Sequence, residues 1–384
     1  FLTNPTARQT LIDSLIALLN YRNADGVNID FEGIPGSQRN NLTTFMQDLS
    51  TQLKTAIPGA TVTMAVFSVD WNNVFDIAAL DPYVDQFIIM GYGYYYSGSS
   101  NAGPTAPLYS GSIWWSYNLN RTVLYYLDQG VTPSKLLLGL PYYGMEWNTV
   151  SDNYPETQTG YISSRTYSYA KNNYEGTYAK TSDVHSYSNG YIFQSGAQWR
   201  QSWVVDDWSL SKKMDIVKHR GIGGMGIWAL GYDNGYTNLW DMIEDKFTDC
   251  GTPYCLDTLY DTGGPLGNYR NNEDYIFNIQ SPSGQAVRAE FLTFDLETNW
   301  DYLYIHDGPD TSAPLIGQFD GTTPPGPITS TGDALAFRFT SDGATVRSGF
   351  SLKWECDGPS LYADTIRLDR NDSAYIDCGR AYHI

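Results

Sequence analysis

The residues Asp25-Gly26-Val27-Asn28-Ile29-Asp30-Phe31-Glu32 decide how this chain is read. From Val27 to Glu32 apolar and polar residues alternate strictly, and a period of two is that of a β-strand. Val27, Ile29 and Phe31 then share one face, and Asn28, Asp30 and Glu32 the other. Inside a sheet, the apolar face packs against helices and both carboxylates point inward. Two such carboxylates repel when both are ionised, so one is expected to keep its proton near neutral pH. A retained proton is what general acid catalysis needs. An ordinary edge strand with a solvated polar face would show the same alternation.

Outward from this stretch, apolar spacing alternates between helix and strand. Residues 5–21 carry Leu11, Leu15 and Leu18 on one helical face, with Ile12 and Leu19 beside them. A second helix is expected over 37–56, with Leu42, Phe45, Met46, Leu49 and Leu53 inward, and Pro58-Gly59 stops it. Strands are expected at Thr61–Ser68, Phe87–Tyr92, Leu136–Leu140 and Gly224–Ala229, and helices at 116–128, 207–219 and 236–246. This alternation predicts a parallel sheet, and acids at the C-terminal end of a strand suit a TIM barrel. The stretch 145–206 is too long for a barrel loop. It reads as a small α+β insertion with strands at Gly160–Tyr169 and Tyr191–Gln201.

The acidic stretch resembles the Asp-x-x-Asp-x-Asp-x-Glu signature of glycoside hydrolase family 18, the chitinase family, with Asn28 where most chitinases have Asp. Four further stretches carry the resemblance: Met90-Gly91-Tyr92-Gly93, where the family has Met-x-Tyr-Asp; Gly139-Leu140-Pro141-Tyr142-Tyr143-Gly144; Trp203-Val204-Val205-Asp206-Asp207; and Gly226-Ile227-Trp228-Ala229-Leu230-Gly231-Tyr232-Asp233. The resemblance implies a barrel over 1–249 in which the acidic motif lies on strand four. Only strands four to eight would then come from this chain, and an upstream polypeptide would complete the barrel. It implies catalysis in which the substrate's own 2-acetamido oxygen is the nucleophile. Glu32 would be the general acid/base, Asp30 would hold the acetamido N–H and Tyr92 the acetamido oxygen. Asn28 would hydrogen-bond Asp30 without adding charge. Asn28, Met90, Tyr142, Trp147 and Trp228 are the candidate substrate contacts, with Trp228 as the floor of the cleft and Tyr142 and Trp147 as wall residues. The implied substrate is a polymeric N-acetylglucosamine glycan, chitin first, peptidoglycan or the N-glycan core next, with no cofactor needed for catalysis. Gly93 in place of Asp removes one sugar contact, so a carbohydrate-binding or adhesive protein with impaired catalysis is the other reading.

After Asp249 the helical period disappears. Short alternating segments are punctuated by Gly263-Gly264-Pro265, Ser281-Pro282-Ser283-Gly284, Asp307-Gly308-Pro309 and Pro324-Pro325-Gly326, which predicts an all-β sandwich over 250–356. Phe294-Asp295-Leu296-Glu297, Trp300-Asp301-Tyr302-Leu303-Tyr304-Ile305, Phe339-Thr340-Ser341-Asp342 and Gly349-Phe350 resemble a CUB domain. In that resemblance Glu297, Asp301 and Asp342 are the acidic triad of calcium-binding members. Calcium takes six to eight oxygen ligands, and three converging carboxylates repel without a cation. The sandwich would also offer a surface to a protein or glycan partner. Residues 357–384 read as a tail or the start of a further segment.

Composition narrows the partners. The 384 residues carry a formal net charge of −19, which disfavours nucleic acid and anionic membranes. No run approaches the apolar length of a membrane span. The four cysteines, Cys250, Cys255, Cys356 and Cys378, all lie in the C-terminal part. An even number in a β-rich region suggests disulfides and a secreted or cell-surface protein, with the pairing left open among three possibilities.

Overall fold

The computed structural model describes residues 1–247, 255–281, 284–357, 374–377 and 380–383. Its first part is built on a five-stranded parallel sheet. The strands are Gly26–Ile29, Thr61–Phe67, Gln86–Met90, Leu136–Pro141 and Gly224–Trp228, in that spatial order. Each neighbouring pair is parallel and in unbroken register. The helices Pro5–Arg22, Arg39–Ala56, Leu119–Asp128, Asp207–His219 and Asn238–Phe247 connect and cover it. This is half of a barrel, in the topology expected from the sequence.

The helix starts have local causes. Asn4 accepts a hydrogen bond from the Ala7 N–H with Pro5 at the first helical position. Asp206 and Ser209 form a reciprocal capping box for Asp207–His219. In Arg39–Ala56 the five apolar residues marked by the spacing are all buried. Burial of each contributes roughly 1.5–3 kcal/mol. The acidic strand is shorter than expected. It ends at Ile29, and Asp30, Phe31 and Glu32 follow it. Ile29 is buried, and Phe31 packs with Phe1 and Phe45 at ring distances of 5.8 and 5.7 Å.

The insertion supplies five strands of a six-stranded sheet, and Asn101–Ala102 adds the sixth. Asn101–Ala102, Glu156–Thr166, Tyr143–Thr149, Gln198–Val204, Ser188–Ser195 and Lys180–Asp183 lie side by side in that order. Two expectations shift here. The segment expected as a strand to Tyr169 turns into the helix Tyr167–Asn173, because the Thr166 hydroxyl caps the Tyr169 N–H at 3.1 Å. The single strand expected at Tyr191–Gln201 is a hairpin, reversed at Gly196, whose φ of +65° favours glycine.

The last part is a sandwich of two four-stranded sheets. One holds Leu256–Tyr260, Gly349–Asp357, Ala286–Asp295 and Ile328–Thr329. The other holds Asp274–Gln280, Ala334–Thr340, Tyr302–His306 and Leu315–Phe319. Its core includes Phe277, Phe291, Phe337, Phe339, Phe350 and Leu352. A disulfide joins Cys255 to Cys356. Cys250 and Cys378 lie outside the described residues, as does most of 357–384, of which Ala374–Asp377 and Arg380–His383 pair as a short hairpin.

The half-barrel and sandwich share a polar seam. Arg121 on the helix Leu119–Asp128 pairs with Glu273 at 3.0 Å, and Thr262 donates to both oxygens of Glu273. Leu124 of the same helix is buried in the core of the sandwich.

Candidate active site and acidic cluster

At the C-terminal end of the first three strands lies a cleft of 380 Å³, lined by Glu32, Phe67, Trp71, Asn72, Met90 and Tyr92 among others. Three expected site residues, Glu32, Met90 and Tyr92, therefore meet there. Gln86–Met90 ends in a tight turn in which the Tyr92 N–H donates to the Met90 carbonyl at 2.7 Å, aiming the phenol at the cleft. The Tyr92 hydroxyl is pushed up to about 12, chiefly by burial and then by the charges of Asp30 and Glu32. It is therefore a neutral donor facing two carboxylates.

Asp30 and Glu32 are exposed, and neither makes a hydrogen bond or ion pair with the described residues. The enclosure expected around them is absent because Gly26–Ile29 pairs with one strand only and lies at an edge of the sheet. Asn28 corrects a second expectation. Its amide donates to the Thr63 hydroxyl on the adjacent strand at 2.8 Å, not to Asp30.

Trp228 ends the last strand and is 53 % exposed, outside the lining of the cleft. Tyr142 and Trp147 are both wholly buried in the core, so neither offers a face to a ligand; their assignment as wall residues is corrected. The neighbour Tyr143 is half-buried. Its ring meets Tyr92 edge-on at 5.9 Å and Tyr232 at 6.3 Å. The sequence reading missed Trp71 and Tyr143. Trp71 sits on a loop, where no period assigns a face. Tyr143 lies one residue from the position chosen.

In the sandwich, oxygens of Glu297, Asp301 and Asp342 lie within 4.8 Å of one another. Asp301 is fully buried. It accepts from the Asp342 N–H at 2.8 Å and from the Tyr269 hydroxyl, and that hydroxyl in turn accepts from the Glu297 N–H at 3.1 Å. Glu297 keeps a buried carboxylate oxygen without a partner. An all-oxygen set with one orphaned anionic atom fits a hard cation such as calcium.

Residues 1–233 match the model of glycosyl hydrolases family 18 and residues 257–354 that of the CUB domain. The chain belongs to glycosyl hydrolases family 18, its catalytic-type fold followed by a CUB domain. Among curated proteins it is 28% identical over 234 residues to the "Putative sporulation-specific glycosylase YdhD" of Bacillus subtilis (strain 168), covering 60% of this chain and 52% of that one. It is 29% identical over 172 residues to human Tolloid-like protein 2, covering 42% of this chain and 16% of the relative. The chain thus spans about half of the first relative's length and less of the second. A solved family 18 chitinase from Cycas revoluta in complex with (GlcNAc)3 shares the fold, with a TM-score of 0.58 at 19% identity, over 64% of this chain and 74% of that one. The CUB match and the disulfide suggest an extracellular protein. No helix among the described residues is long and apolar enough to cross a membrane.

Proposed function

We propose that the chain is a retaining glycosidase that cuts β-1,4 bonds next to N-acetylglucosamine, acting within the chain on polymers. The observation that carries the reading is the meeting of Tyr92 and Glu32 at one cleft, with Asp30 near enough for its charge to act on the same phenol, which burial and both acids hold neutral. In the proposed step the substrate's acetamido oxygen attacks the anomeric carbon as the glycosidic C–O bond breaks. Glu32 gives its proton to the leaving oxygen. Asp30 accepts from the acetamido N–H and balances the oxazolinium charge, while Tyr92 donates to the acetamido oxygen. Water then opens the oxazolinium from the vacated side and returns a proton to Glu32, so configuration is retained. Trp228 offers an apolar face to a sugar.

Further barrel strands, as the fold's first to third, would pair beside Gly26–Ile29 and enclose the two acids. The proposed divisions are a barrel over 1–249 with insertion 145–206, and a sandwich over 250–356. Calcium is proposed at Glu297, Asp301 and Asp342, where it would supply the positive charge that lets three acids converge; the orphaned Glu297 oxygen supports it. The sandwich would meet a protein or glycan partner in a secreted or cell-surface setting.

A binding protein with impaired catalysis is the second reading. It is favoured by Gly93, which leaves no side chain where the family's Asp would meet the sugar. The deciding experiment is product analysis on chitin, peptidoglycan and N-glycan, with partly deacetylated chitin as the mechanistic arm. Cuts are expected only after acetylated sugars. Efficient cleavage after glucosamine overturns the substrate-assisted step, and binding without any product selects the second reading.

A further inference from the structure

Beside the cleft stand three rings that the proposed reaction does not use. Trp71 stacks on Trp115 with ring centroids 5.5 Å apart and planes 16° from parallel. Tyr117 closes the group, 4.8 Å from Trp71 and 4.7 Å from Trp115. Core aromatics are covered, but these indoles are 63 % and 42 % exposed. Their positions are fixed. The Trp115 N–H donates to the Tyr95 hydroxyl at 2.9 Å and its carbonyl accepts from the Ser110 hydroxyl at 2.6 Å. The Asp70 carboxylate holds the loop of Trp71 by accepting from the Val74 and Phe75 N–H groups at 2.9 and 3.0 Å.

The group is also braced from the other domain. The guanidinium of Arg270, in the sandwich, lies over the Tyr117 ring at 4.8 Å. Such a cation–π contact orients the ring it covers. Arg270 itself adjoins the half-buried end of the seam formed by Arg121 and Glu273. A contact path thus runs from the sandwich through Tyr117 and Trp115 to Trp71, which lines the same cleft as Glu32.

We propose that Trp71, Trp115 and Tyr117, braced by Arg270, form a platform that continues the glycan track beyond the cleft, so that the sandwich helps to hold the substrate. The occupant is a more distant part of the same N-acetylglucosamine chain. Continuity argues for it, since Trp71 belongs to both surfaces. So does chemistry: the C–H face of a β-linked pyranose carries the positive polarity that an indole face attracts. The inference rests on reading the cleft as a glycan site.

The test measures binding of the N-acetylglucosamine dimer and hexamer to the full chain in a Glu32→Gln background, by tryptophan fluorescence and calorimetry. The hexamer should bind more tightly than the dimer. Trp71→Ala should weaken the hexamer by at least about fivefold. Arg270→Ala should weaken it about two- to fivefold, with dimer affinity unchanged, and Arg270→Lys should recover part of the loss because the ammonium keeps the cation–π contact. Trp115→Ala tests the same path without touching the seam. Dimer binding with hexamer affinity unmoved by Trp71→Ala, Trp115→Ala and Arg270→Ala overturns the platform and leaves the cleft reading standing. Failure of the parent chain to bind either sugar removes the cleft reading and the platform with it.

Discussion

The half-barrel and the sandwich each gather carboxylates at the end of a β-strand, but they handle the repulsion in opposite ways. Asp30 and Glu32 are left exposed, their side chains free of hydrogen bonds to the described residues, and their charges act on the neutral Tyr92 hydroxyl. Asp301 is buried and fixed by donors on both oxygens, with Glu297 and Asp342 drawn against it. A group that must give and take a proton cannot be committed to a fixed donor. A metal ligand must be held in one geometry before the ion arrives. On the proposed reading the same residue type would serve two purposes, and the hydrogen bonds around it separate them.

The separation can be broken most directly by paired substitutions. Glu32→Gln should lower release of reducing ends by roughly 10²–10⁴-fold, because the amide keeps the shape and loses the proton. Asp301→Ala should leave that rate within a small factor, since it lies in the other domain. Comparable losses from both would show that the two acid groups act as one unit.

Calcium supplies the converse. A ligand that binds only the folded state stabilises it by about 2.7 kcal/mol at a hundredfold excess over Kd. Thermal unfolding of the full chain should shift upward with calcium for wild type and Glu32→Gln, and not for Asp301→Ala. Identical curves for wild type in calcium and in chelator would remove the metal from the sandwich.

A third carboxylate environment sharpens the contrast. Asp261 is 1 % exposed, and burial pushes it up to about 8, against the pull of the Gly263 and Phe350 N–H donors. Unfolded, it would titrate near 3.9. Between those values the folded state binds more protons than the unfolded one, so this group's contribution to stability falls as pH rises. Denaturant unfolding should show wild type losing stability relative to Asp261→Asn from about pH 4 to about pH 8. A pH-independent difference would mean that the carboxylate is ionised throughout.

What the sequence made legible follows from period. The helix Arg39–Ala56 and four of the parallel strands appear where apolar spacing places them, while the acidic strand stops short at Ile29. The residues at and beside the cleft were less legible because they sit where period breaks. Between Leu136–Pro141 and Tyr143–Thr149 the chain passes one residue, Tyr142, whose N–H is taken by the Trp228 carbonyl. Alternation restarts there, so Tyr143 and not Tyr142 packs against Tyr92. Trp71 lies in a loop ordered by Asp70, and Tyr269 reaches Asp301 across 32 positions of sequence. The family resemblance assigns Asn28 to Asp30, whereas the register places it opposite Thr63.

The smallest effect concerns the one departure from the family's pattern beside Tyr92. Gly93 has a φ of +78°, and a Cβ there would meet no atom within 4 Å. Space is therefore available, and the obstacle is the backbone. A left-handed conformation costs an L-residue roughly 1–2 kcal/mol. Asp is among the residues that bear this cost best, through its short polar side chain. Gly93→Asp should thus lower stability by about 1 kcal/mol or slightly more, without a steric clash. It would also add a third negative charge near Asp30 and Glu32, raising the Tyr92 hydroxyl further. If the missing sugar contact limits this chain, the substitution should tighten oligosaccharide binding despite the lost stability. Binding that weakens in parallel with stability would show that the turn at Gly93, and not the missing carboxylate, shapes this end of the cleft.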